Sequence, residues 1–150
     1  MPEFAALASW YDTWQTALFV SIPLALIASA AAVFATGSLV TRLVNGTVFM
    51  CLAAAVIHQG HGMIELHFAI FCLLAFLLYY RAWKPLVMGS VVVAIHHVLF
   101  DILQRAGAPV YLMDHHHGLA YVAIHSAYVV AEVVILVYMA ASIRAEAIES

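Results

Sequence analysis

His58-Gln59-Gly60-His61-Gly62-Met63-Ile64 interrupts an apolar run that extends from Thr47 to Tyr80. As one unbroken helix that run would be roughly 50 Å long at 1.5 Å per residue, whereas the hydrocarbon core of a bilayer is ~30 Å thick. The paired glycines Gly60 and Gly62 must therefore turn the chain, and the run becomes two spans joined by a tight corner.

Working outward with the same ruler, roughly 20 apolar residues per crossing, five spans fit. They run from about Thr16 to Thr36, from Leu39 or Asn45 to His58, from Glu65 to Tyr80, from Leu86 to Gln104, and from Leu119 to Ser142, with the last helix continuing toward Ser150. Gly37, Arg42, Asn45 and Gly46 mark the break between the first two. The expected fold class is an all-α integral membrane protein, a single domain of about five transmembrane helices.

Composition agrees. The 150 residues are 67% hydrophobic and only 9% charged, with a mean hydropathy of +1.05, while a soluble domain is about half apolar and about a quarter charged. Disorder is excluded on the same grounds. Five Lys and Arg against eight Asp and Glu leave no basic surface for nucleic acid. Cys51 and Cys72 sit in apolar runs without CxxC spacing and read as buried, packed thiols. Met1 to Trp14 carries Glu3 and Asp12 where a signal peptide needs a positive region, so the first span is expected to be retained.

If the five spans alternate sides, Arg42, Arg81, Lys84 and Arg144 share one side and Arg105 lies alone on the other. The positive-inside rule then places the C-terminus in the cytoplasm and the N-terminus outside. Trp10, Tyr11 and Trp14 form an outer aromatic anchor, and Tyr79, Tyr80 and Trp83 an inner one.

That orientation organises the histidines, of which there are nine, more than Lys and Arg together. His58, His61, His67, His96, His97 and His125 all fall in or near the outer half of the membrane, and His115, His116 and His117 in the outer loop. Three acids accompany them. Glu65 is two residues from His67, Asp101 one turn from His97, and Glu132 two turns from His125 on the same face, with Tyr128 between. Ionisable groups within spans face the bundle interior and mark ligand, ion or proton sites.

Imidazoles from facing helices suit two kinds of cofactor. Haem b, held by two His, fits an apolar interior, with His125 and His97 or His96 as the deep pair and His67 with His58 or His61 as a shallower one. A copper or zinc ion fits the mixed set His58, His61, Glu65, His67, His97, Asp101 and His125. The carboxylates serve equally as acceptors that orient imidazoles. The bland readings are a solvated loop for His115 to His117, helix-to-helix hydrogen bonds for the buried rings, and one of the neighbours His96 and His97 facing away from any shared site.

The stretches His58 to Phe68, Phe76 to Pro85, Ala94 to Phe100, Leu103-Gln104 and His125 to Glu132 together resemble the N-terminal membrane input region of bacterial methyl-accepting chemotaxis proteins and diguanylate cyclases. The likeness covers about His58 to Ala140 and departs at Arg81-Ala82-Trp83-Lys84, where such sequences often carry Arg-Asp-Trp-Arg. It implies a signal-transduction sensor in the bacterial inner membrane whose cytoplasmic output domain follows the last span, so that Ser150 would be a truncation point. No catalytic residue is assigned, and any catalysis would belong to that following domain. The leading expectation is a haem-binding sensor of redox state or of a haem ligand; the alternatives are a sensor of periplasmic copper or zinc and a cytochrome b-type electron carrier. A membrane di-iron oxygenase fits poorly, because its ligands lie toward the cytoplasmic side. Lipid surrounds the bundle, and a homodimer within the membrane is a further expectation.

Overall fold

The computed structural model describes residues 2–114 and 119–149, and every regular element among them is helical. The helices are α1 (Pro2–Tyr11), α2 (Trp14–Phe34), α3 (Leu39–Gln59), α4 (Ile64–Tyr80), α5 (Trp83–Arg105) and α6 (Leu119–Glu149). Stretches of α2, α3, α5 and α6 are each long and apolar enough to cross a membrane, which marks the chain as a membrane protein. Helix α4 is shorter, begins and ends in 3₁₀ turns, and runs beside them.

Helix α1 is a finding of the structure, since the sequence predicts in this stretch only the anchor residues Trp10 and Tyr11. Phe4, Leu7 and Ala8 pack against Ala17, Ala55 and Val56, so α1 lies across the ends of α2 and α3. Asp12, at φ 52°, turns the chain between α1 and α2. Gln59, fully buried, donates to the Thr13 carbonyl and hydroxyl at 3.3 and 3.0 Å and pins that corner to the end of α3. Within α2, residues Ala17–Ser21 form a π turn just before Pro23. The wider turn accommodates a proline that has no N–H and whose ring crowds the preceding turn.

The corner after α3 forms where expected. The Gly62 N–H donates to Ile57 O at 2.9 Å and the Gly60 N–H to Val56 O at 3.0 Å, while His61 and Gly62 both take positive φ. Gly62 meets the needs of φ +78° and of close approach together, since a Cβ there would lie 2.4 Å from the Met113 backbone. Gln104 holds the Met113 segment in place, accepting from the Leu112 N–H at 2.9 Å and donating to Met113 O at 2.8 Å.

At the opposite end Ser38 caps α3 through the Thr41 N–H, and the Asn45 amide donates to the Tyr80 hydroxyl at 2.7 Å. Arg81, in the left-handed region, ends α4, and α5 starts at Trp83, three residues before the expected Leu86, with Pro85 in its first turn. The core lies among α3, α4, α5 and α6, centred on Met50, Ile57, Leu74, Leu77 and Leu86. Helices α3 and α5 approach closely at Gly46, where a Cβ would sit 2.9 Å from Pro85 O. Of the six expected anchor aromatics, Trp10, Trp14, Tyr79 and Trp83 are exposed and Tyr11 and Tyr80 half-buried. One expectation fails: Cys72 is exposed and Cys51 only half-buried.

Candidate metal centre

The corner at 60–63 sets α4 antiparallel to α3 and brings its first turn, with His67, beneath the ends of α5 and α6. His67 of α4, His97 of α5 and His125 of α6 meet there, one imidazole from each helix. Each offers one ring nitrogen, and those three atoms all lie within 4.8 Å of one another. The ring centroids are 5.2 Å apart for His67 and His125, 5.7 Å for His67 and His97, and 5.9 Å for His97 and His125.

Backbone carbonyls set the tautomers. His67 Nδ1 lies 3.3 Å from Met63 O and His97 Nδ1 lies 3.0 Å from Val93 O. A carbonyl only accepts, so in these two rings Nδ1 carries the proton and Nε2 keeps its lone pair. This is the arrangement in which a metal-ligating imidazole is oriented by its other nitrogen. The Nε2 atoms of His67, His97 and His125 are all buried with no hydrogen-bond partner among the described residues. One such orphan costs about 1–3 kcal/mol. Gathered in one place, the three rings form a set that could hold a metal ion.

The other expected ligands lie elsewhere. His96 is buried on the far side of α5, its ring 4.2 Å from Phe100, and its Nε2 is also without a partner. His58 Nδ1 accepts from the Tyr111 N–H at 3.2 Å. His61 sits between Tyr11 and Tyr111, at 4.5 and 4.4 Å from their rings. Glu65 is exposed on the first turn of α4. Asp101 pairs with Arg105 at 3.0 Å and does not join the imidazoles. Glu132 lies deeper along α6, its Oε2 buried and without a partner among the described residues. His115, His116 and His117 lie outside the described residues.

The gathered set is thus all nitrogen. Three neutral imidazoles fit zinc, copper or another first-row ion and leave a fourth position open. Nitrogens around a tetrahedral ion stand roughly 3.4 Å apart, so a closure of the triangle by no more than about 1.4 Å from its 4.8 Å limit brings all three within bonding reach. The Met63 and Val93 carbonyls are the functional groups the sequence reading passed over. Their signal was present, because each stands four residues before its histidine.

Comparison with protein families, with curated proteins and with solved structures finds no match.

Proposed function

We propose that the chain is the sensory membrane module of a bacterial signalling protein and that it responds to a transition-metal ion, copper or zinc, held by His67, His97 and His125. The observation that carries this reading is the meeting of three imidazoles from three helices, one ring nitrogen of each within 4.8 Å of the others and each ring with a buried Nε2 that has no partner among the described residues. A metal ion satisfies all three at once. The third imidazole also favours a bare ion over haem, since a porphyrin takes two axial imidazoles and its ring needs the space between and around them.

In this reading α4 is the third of five spans, the N-terminus is outside, and the C-terminus is in the cytoplasm of a cell whose inner membrane holds the protein. The cations Arg42, Arg81, Lys84 and Arg144 on one side and Arg105 on the other support that orientation. Metal binding draws α4, α5 and α6 together. Because α6 leads toward the C-terminus, a change in its packing is the motion a following output domain would receive. Such signalling requires only that the ion bind one packing better than the other.

Haem b remains the second reading, favoured by an apolar slot of about 340 Å³ beside His67 and His125, lined by Ile64, Phe68, Phe71 and Tyr128. With haem, the module would sense redox state or a haem ligand, or carry electrons. One preparation separates the two. Protein purified in detergent from cells supplied with copper, zinc and haem precursor is expected to be free of a Soret band and to carry about one metal ion per chain. A stoichiometric Soret band that His67→Ala and His125→Ala remove would replace the metal reading with haem.

A further inference from the structure

Three consecutive backbone N–H groups in the connection from α5 to α6 are held by side chains rather than by other backbone. Those of Leu112 and Met113 donate to Gln104 Oε1 at 2.9 and 3.4 Å, and that of Tyr111 donates to His58 Nδ1 at 3.2 Å. The segment is closely seated: Leu112 and Met113 are buried, and the Met113 backbone closes over Gly62. It forms a strap across the end of the bundle where α3 turns toward α4, and two side chains hook it. Gln104 belongs to α5, the helix the strap leaves, whereas His58 belongs to α3, so the His58 bond ties the strap to a second helix.

The two hooks differ in chemistry. An amide oxygen accepts at any pH, whereas an imidazole nitrogen accepts only while it is unprotonated. Because the Tyr111 N–H donates to Nδ1, the His58 proton sits on Nε2, and a second proton can go only onto Nδ1, where it turns the acceptor into a donor facing a donor. The ionisable groups that face His58 are His61 on the corner, His96 on α5 and Tyr111 on the strap. Among the carboxylates at this end, Asp101 is paired with Arg105, and Asp12, Glu65 and Asp114 are exposed. The Tyr111 ring lies 4.4 Å from His61, which meets Tyr11 of α1 at 4.5 Å. An aromatic face receives a charged imidazole as well as a neutral one, so this contact keeps the Tyr111 side chain in place when its backbone is freed.

We propose that His58 and the strap form a proton-sensitive latch, closed while the imidazole is neutral and opened when it is protonated. The Tyr111 bond is present above the pKa of His58 and is lost as the pH falls through it, which leaves Gln104 alone to hold the backbone of the strap. Because the strap joins α5 to α6, opening the latch loosens the connection between those two helices. The latch stands independently of the metal reading.

The test is amide exchange, resolved to single residues by NMR, on the chelator-treated 150-residue chain in detergent. It is followed from about pH 8 to about pH 4.5, the range that brackets imidazole titration, and corrected for the intrinsic rate. Protection of the Tyr111 amide is expected to fall about three- to tenfold in acid, the loss of one hydrogen bond, while the Leu112 and Met113 amides keep theirs. His58→Asn, whose amide oxygen takes the place of Nδ1 and does not titrate, should keep Tyr111 protected across the range, and His58→Leu should leave it at the acid level throughout. His67→Ala should not alter the wild-type profile. Protection of Tyr111 that is constant with pH in the wild type, or that still falls in His58→Asn, overturns the proposal even if His58→Leu fails to fold. So does a profile that His67→Ala flattens, or a parallel loss at Leu112 and Met113, which would mean that acid opens the whole end of the bundle rather than one bond.

Discussion

The rings of His97 and His125 lie 5.9 Å apart and within 22° of parallel across the contact of α5 with α6, and His67 meets both of them nearly edge-on. Each ring comes from a different helix. Any agent that bonds all three therefore joins three helices at one point, and its removal loosens them together.

Substitution of any one of the three should remove the metal. His67→Ala, His97→Ala and His125→Ala are each expected to lower bound metal from about one ion per chain to background, measured by elemental analysis of purified protein. His61→Ala, whose ring packs between Tyr11 and Tyr111, should leave the content unchanged. Metal retained in all three cluster variants would remove the basis for the proposed centre.

Metal should also stabilise the bundle. A ligand at 100 times its Kd adds about 2.7 kcal/mol to a state that alone binds it. Chelator treatment is expected to lower Tm in detergent by several degrees in the wild type and not at all in His97→Ala. Equal shifts in both proteins would mean that the chelator acts elsewhere.

The 60–63 corner should be intolerant at one atom. Gly62→Ala meets both a positive φ and the Met113 backbone 2.4 Å away, whereas Gly37→Ala has a positive φ and open space around it. Gly62→Ala is expected to cost several kcal/mol and Gly37→Ala about 1 kcal/mol. Thermal unfolding of the two variants side by side provides the comparison, and equal losses would show that the Met113 contact does not matter.

A polar tie at the other end can be weighed by a double-mutant cycle. Asn45 and Tyr80 are joined by one hydrogen bond of 2.7 Å. The coupling between Asn45→Ala and Tyr80→Phe is expected to be about 0.6 kcal/mol and below ~1.7 kcal/mol, the range for such bonds between membrane helices. Additive losses would assign the bond no net role.

Orientation is tested by labelling. In a background without Cys51 and Cys72, an impermeant maleimide added to intact cells should react with Ala106→Cys and not with Thr36→Cys, both at exposed positions. The reverse pattern would invert the topology.

Much of this protein was legible in its residues because a bilayer imposes a length and a polarity that short-range pattern records. Apolar runs of sufficient length located α2, α3, α5 and α6, and Gly60 and Gly62 announced the corner before α4. The histidines were legible as a set, since a polar ring in an apolar run demands a partner. The 100° step between His96 and His97 also showed that only one of them would face a shared site. Which one was not legible: His96 faces Phe100 while His97 faces His67 and His125, a matter of helix rotation that sequence does not record. Asp101 was a reasonable ligand until Arg105, four residues on in the same helix, proved to hold it. Helix α1 was hidden because its burial depends on Ala55 and Val56, far along the chain. Composition and periodicity thus determined that helices would cross a membrane and carry imidazoles at one end. Which imidazoles share a site was decided by the packing angles of α4, α5 and α6, since non-local contacts set helix rotation and helix rotation sets where each ring nitrogen points.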